Sequence, residues 1–219
     1  MNSTVGYTTK AQGADTGAFL LLAHGAGAPA DSPFMDLLAS EMARQGVSVV
    51  RMEFPYMQKR REDGRKRPPD RAEKLLASFR DHIVRLREEI GVDTPLFIGG
   101  KSMGGRMASL LAAEASDRNA FNGVLCFGYP FHPPGKLDKW RLEHFSQLWC
   151  PACVIQGTRD PFGKPEELQE QLGDAIPFTL HWLPGGNHDF QPLKASGLSQ
   201  RDLIEEAASV SAAFIRKHL

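Results

Sequence analysis

Gly100-Lys101-Ser102-Met103-Gly104 sets a serine between two glycines, two positions away on either side. The pattern G-x-S-x-G puts a hydroxyl on a sharp strand-to-helix turn, lifted above a sheet edge where it can attack a carbonyl carbon. The flanking positions must be small, because the helix that follows packs against the strand that precedes. A chain with 21 glycines meets this pattern by chance roughly once in ten trials, so context has to decide. PLFIG before it reads as a buried strand and MASLLAAEA after it as a helix, and that is the context the motif requires.

A serine nucleophile needs a base and a group to orient the base. Asp160 follows the apolar run ACVIQG, in Gly157-Thr158-Arg159-Asp160-Pro161, and His188 follows FTLHWL, in Pro184-Gly185-Gly186-Asn187-His188-Asp189. Both stand past strand ends, on the edge expected to carry Ser102. Asp189 is a rival orienter, but a sequence neighbour rarely points at the same ring, and Asp160 is preferred. His82, His144 and His218 sit in helical or polar surroundings, His181 inside a strand and His132 in a Pro-rich stretch, so all are poorer bases.

Acyl transfer also builds negative charge on the carbonyl oxygen, which calls for fixed N–H donors. One is expected from the backbone of Met103. The other is expected from the small-residue loop His24-Gly25-Ala26-Gly27-Ala28, at Ala26, with His24 structural inside the loop.

These residues must be held by an α/β framework. Strands are expected at 18–23, 47–53, 95–99, 123–128, 152–157 and 178–183, most too continuously apolar to keep one wet face. Helices are expected at 33–45, about 70–90, 103–115, 165–173 and 198–218. Alternation of the two predicts a doubly wound, mostly parallel six-stranded sheet with helices on both faces. The ligand site then lies beyond the carboxyl ends of the strands.

The 219 residues suit a single domain over 1–219, with a polar N-terminal segment at 1–17. Basic and acidic residues number 26 each, which removes the electrostatic footprint of a nucleic-acid binder. The run AFLLLA at 18–23 is too short for a membrane span or a signal core. A cytoplasmic protein is expected, with no nucleic-acid or membrane partner and with the oligomeric state left open.

Two stretches interrupt the alternation. Residues 57–71 hold seven basic and three acidic residues and read as a solvated charged loop, ahead of a flap that attracts an anionic substrate. Residues 129–149, with Pro130, Pro133 and Pro134, form a short excursion in place of a cap. At its start Tyr129, Phe131 and His132 are candidates for the substrate pocket. Arg106, one helical turn after Ser102, could hold a carboxylate or buttress the Asp160 loop, though a packing or surface role is at least as well supported.

Cys150-Pro151-Ala152-Cys153 has redox spacing but precedes a strand instead of opening a helix, and no second Cys or His pair completes a zinc site. These cysteines and Cys126 are read as structural, and neither a metal nor an organic cofactor is implied.

Taken in order, HGAG, GGKSMGG, GTRDPFG and GGNHDF resemble the α/β-hydrolase superfamily, in its compact dienelactone-hydrolase-like and prolyl-oligopeptidase-like serine esterase branches. The likeness runs from about residue 18 to 218. It implies a minimal fold without a large cap, and a catalytic triad of Ser102, Asp160 and His188 in the usual chain order. It further implies that His188 takes the Ser102 proton, that Asp160 steadies the imidazolium, and that water cleaves an acyl-enzyme formed on a small-molecule acyl substrate. Dienelactone hydrolases proper use cysteine where this chain has Ser102, so that named activity is not implied. The chain also resembles a form starting at the third of the usual eight strands. An ester or thioester is the substrate class implied; the alternatives are a non-catalytic binding module on the same fold, or an acyltransferase or peptidase using the same triad.

Overall fold

The computed structural model describes residues 6–114 and 118–219. One sheet of seven strands runs through it: β1 (Tyr7–Thr9), β2 (Phe19–Ala23), β3 (Ser48–Met52), β4 (Leu96–Lys101), β5 (Gly123–Phe127), β6 (Ala152–Gly157) and β7 (Thr179–Leu183). The spatial order is β1-β3-β2-β4-β5-β6-β7. Strands β2 to β7 pair in parallel, while β1 lies antiparallel on β3.

The six predicted strands are β2 to β7, within one residue of their expected ends except β4, which runs two residues further to Lys101. The seventh, β1, corrects the strand count and adds an edge strand within the polar segment 1–17, of which residues 1–5 lie outside the described residues. Its three residues Tyr-Thr-Thr are mostly exposed at the sheet edge, so no apolar run advertises them.

Side chains along β2 alternate between two cores, as a pleated strand requires. Leu20 and Leu22 join one core, and Leu21 and Ala23 join the other. The first core is closed by α1 (Pro33–Arg44) and α6 (Gln200–Lys217), which supply Met35, Leu38, Ile204 and Ala208. The second is closed by α3 (Ala72–Ile90) and α4 (Met103–Ala112), which supply Phe79, Ile83, Met107 and Leu111. Burial of this apolar surface on both faces is the main term holding the sheet. The helix expected at 103–115 ends at Ala112, and its last expected residue, 115, lies outside the described residues.

The expected loop at 57–71 needs correction. Residues Pro55–Asp63 form a helix, α2, and only 64–71 are irregular. Pro55 opens α2 at a position where its missing N–H costs nothing, and Gly64 closes it in the left-handed region at φ 69°. Two of the segment's basic residues meet acids: Arg61 Nε lies 2.6 Å from Glu53 Oε2 and also pairs with Asp31, while Arg67 in the connector pairs with Asp63. The segment is thus a helix and its connector, with part of its basic charge paired to nearby acids.

Chain order makes a switch point beside β2. From β2 the chain steps to β3 on one side, then returns to β4 on the other. The loops after β2 and β4 therefore rise next to each other, with Ala23 in register with Gly100, and a crevice opens at such a point. Among the described residues no helix is long and apolar enough to cross a membrane.

Candidate active site

Ser102 stands between β4 and α4 with φ 51° and ψ −113°. A non-glycine residue rarely holds such angles, and it does so only where its surroundings fix them. Here the Ser102 N–H donates to Phe127 O at 2.9 Å. The neighbouring glycines are sterically compelled: a Cβ on Gly100 would lie 2.6 Å from Ala23 O, and one on Gly104 would lie 2.5 Å from the same oxygen. Both distances fall inside contact range, so the turn closes only without side chains there.

The structure brings Ser102, His188 and Asp160 together from three strand ends. Ser102 Oγ is 3.0 Å from His188 Nε2, and His188 Nδ1 is 2.8 Å from Asp160 Oδ2. Asp160 is fully buried. Its Oδ1 accepts from the Phe162 N–H at 2.9 Å, and its Oδ2 also accepts from Gln156 Nε2 at 2.9 Å. An ionised carboxylate with these donors makes Nδ1–H the protonated nitrogen of a neutral His188. That leaves Nε2 free to accept from the Ser102 hydroxyl. The Phe162 ring lies against the imidazole with centroids 4.4 Å apart. Asp189 does not compete: its carboxylate faces Lys101 instead.

His24 takes the structural place expected of it. Buried under the loop after β2, its Nδ1–H donates to Gly25 O at 2.7 Å and its Nε2 accepts from the Phe54 N–H at 3.1 Å. Both ring nitrogens are thereby occupied, and burial holds the imidazole below its ordinary pKa. The Tyr56 hydroxyl lies 3.2 Å from Gly25 O and 2.9 Å from Ala26 O. The loop's carbonyls are thus anchored from beneath. The N–H groups of Ala26 and Met103 have no acceptor among the described residues, and Met103 is the first residue of α4, where the helix dipole favours negative charge.

A cavity of about 340 Å³ opens beside Ser102. Its wall comes from the Gly25–Ala28 loop, from Phe34 and Met35 of α1, from Phe162, and from Lys101 and Asp189, next to Ser102 and His188. Tyr129, Phe131 and His132, expected in the pocket, are absent from this wall and almost completely buried. The Tyr129 hydroxyl donates to Arg141 O at 3.1 Å, Phe131 stacks on Phe178, and His132 meets Pro133 O and Glu167. Past Gly128, at φ +64°, the chain turns these rings into the second core. They are core residues, and this corrects the pocket assignment.

Arg106 Nε is buried without a hydrogen-bond partner. Its charge reinforces the desolvation that holds His144 down to about 4. Cys126, Cys150 and Cys153 are unpaired. Burial pushes the Cys150 and Cys153 thiols up to about 12, so neither supplies a thiolate near neutrality. Among the described residues no three His, Cys, Asp or Glu side chains converge as a metal site.

Residues at the site that the sequence does not single out include Lys101, Phe34, Met35, Gln156 and Phe162. Lys101 and Phe162 lie inside quoted motifs, at positions whose type the motif leaves free.

Residues 16–216 match the family described as alpha/beta hydrolase domain. The chain belongs to the alpha/beta hydrolase family. Solved structures share the fold over nearly the full chain. One is a dienelactone hydrolase from Anabaena variabilis, 19% identical, with TM-score 0.70 over 97% of this chain and 90% of that one. Another is an alpha-beta serine hydrolase homologue from Coxiella burnetii, 15% identical, with TM-score 0.68 over 96% and 94%. A third, from Xanthomonas campestris, is described as a serine hydrolase without lid; it is 18% identical, with TM-score 0.68 over 96% and 88%.

Proposed function

We propose that this alpha/beta hydrolase chain is a serine hydrolase that cleaves an ester or thioester through an acyl-enzyme. The observation that carries the reading is the unbroken row Ser102 Oγ–His188 Nε2–Asp160 Oδ2, at 3.0 and 2.8 Å. In this reading His188 accepts the hydroxyl proton as Ser102 Oγ attacks the acyl carbon. The Asp160 carboxylate stabilises the imidazolium that results. The oxyanion is received by the N–H groups of Ala26 and Met103, and their fixed dipoles need no reorganisation when charge develops. His188 then returns the proton to the leaving oxygen or sulfur, and water attacks the acyl-Ser102 ester with His188 again as base. The dienelactone hydrolase and serine hydrolase neighbours lend the reading support by analogy of fold alone.

A fluorophosphonate probe tests the reading. Folded protein should label, and Ser102→Ala should abolish labelling. Absence of label on folded wild-type protein would favour a binding module built on the same fold.

A further inference from the structure

Lys101 is the only lysine or arginine among the described residues lining the cavity. Its side chain is 8% exposed, although lysines ordinarily keep the ammonium in water. Burial pushes its pKa down, opposed by the carboxylates of Asp189 and Asp160.

The nearest acid is Asp189, with Oδ1 at 3.4 Å from Nζ, longer than the roughly 2.7–2.9 Å of a well-made charged hydrogen bond. The two halves of this pair differ sharply in environment, because the Asp189 side chain is 63% exposed. The carboxylate can swing into water at little cost, and the ammonium cannot follow.

Other groups complete the surroundings of Nζ. The Phe34 ring centroid is 5.4 Å away, a cation–π contact. Gly128 leaves the space, since a Cβ there would sit 3.2 Å from Nζ and 3.4 Å from His188 Nδ1. An ammonium carries three donors, and one long contact to a half-solvated acid leaves it under-satisfied. The rest of the cavity wall, at Ala26, Ala28, Phe34, Met35 and Phe162, is largely apolar.

We propose that Lys101 binds an anionic group on the substrate, so that preferred substrates are esters carrying a carboxylate besides the scissile acyl group. Asp189 holds that place in the free protein and yields it to the substrate. The proposal rests on the hydrolase reading above and narrows its substrate class.

The test compares charged and neutral esters on the full chain. Monoethyl glutarate is set against ethyl pentanoate, and 3-acetoxypropionate against propyl acetate. The carboxylate is thereby offered on the acyl side and the alcohol side in turn. In at least one pair the wild-type kcat/KM should favour the charged ester by about tenfold or more. Lys101→Met should erase that ratio, and Asp189→Asn should raise it about two- to fivefold by removing the competing carboxylate. Losses common to both esters cancel in the ratio. A pair that only clamps the two loops would make both variants shift the ratio together or leave it alone, and that result overturns the proposal, as does a wild-type enzyme without charge preference.

Calorimetric titration of Ser102→Ala protein with glutarate and with 3-hydroxypropionate gives a readout free of turnover. The tighter of the two should lose about tenfold in affinity when Lys101→Met is added, and unchanged affinity overturns the proposal. If no ester turns over, the hydrolase reading fails by itself, and the titration still decides the anion site.

Discussion

Gln156 near the end of β6 and Asp160 in the buried turn after it face each other, with the amide nitrogen 2.9 Å from the same carboxylate oxygen that meets His188. Three donors, from Gln156, Phe162 and His188, converge on this one acid. Asp160→Asn would present an amide to groups that can only donate. His188 would then be driven to the wrong tautomer or turned away from Ser102. We expect kcat to fall by about 10³–10⁴-fold with KM changed far less, measured by steady-state hydrolysis of an activated ester. Gln156→Leu should lower kcat more mildly, since the orienting carboxylate remains.

The elbow glycines lend themselves to a stability measurement. Gly104→Ala drives a Cβ to 2.5 Å from Ala23 O and 2.7 Å from His24 O, both backbone atoms that cannot turn aside. A loss of about 1–3 kcal/mol or more is expected in urea unfolding. Ser102→Gly should be more stable than Ser102→Ala by about 1 kcal/mol, because only glycine holds φ 51° without strain. Equal stabilities would mean that the turn carries no strain.

Tyr56 offers a test of the loop after β2. Its hydroxyl anchors the carbonyls of Gly25 and Ala26 and does not line the cavity. Tyr56→Phe should lower kcat by about tenfold while KM changes little, as expected when a donor aimed at the transition state loses its fixed position. A large rise in KM alone would assign the loop to substrate binding.

Acid should destabilise the fold through its buried histidines. Burial holds His24, His82 and His144 below the ordinary 6.5, with His144 at about 4. Each binds a proton less readily in the folded chain, so the unfolded chain takes up more protons as the pH drops below 6.5. The stability due to these groups is complete above that pH. For His144 it is lost progressively between 6.5 and about 4. Thermal unfolding from pH 8 to pH 5 should show Tm falling over the lower part of the range, and His144→Asn should flatten the fall.

The residues of the candidate site were legible because each stands in a short motif at the end of a buried strand, where local sequence and the sheet edge coincide. Ser102, Asp160 and His188 needed only a parallel sheet to bring them together. The cavity wall was less legible. Phe34 and Met35 reach it from α1, whose amphipathic pattern separates a buried face from a wet one but not a core contact from a ligand contact. Tyr129, Phe131 and His132 were misplaced for the related reason that a strand end does not tell whether the chain next turns inward. Helix α2 was obscured by its charges, although Pro55 and Gly64 marked its ends. The acids that pair with its Arg61, Glu53 and Asp31, come into reach only in the folded chain. Lys101 was passed over because the elbow motif leaves its type free, and only the fold shows that its side chain is buried at the cavity.

The central claim is that Ser102 carries the acyl group. Protein mixed with p-nitrophenyl acetate, quenched in acid within the first turnover and digested, should yield an acetylated peptide containing Ser102 by mass spectrometry. That adduct should be absent from Ser102→Ala and strongly reduced in His188→Ala. An acyl group on another residue, or turnover of the ester by Ser102→Ala at the wild-type rate, would contradict the account.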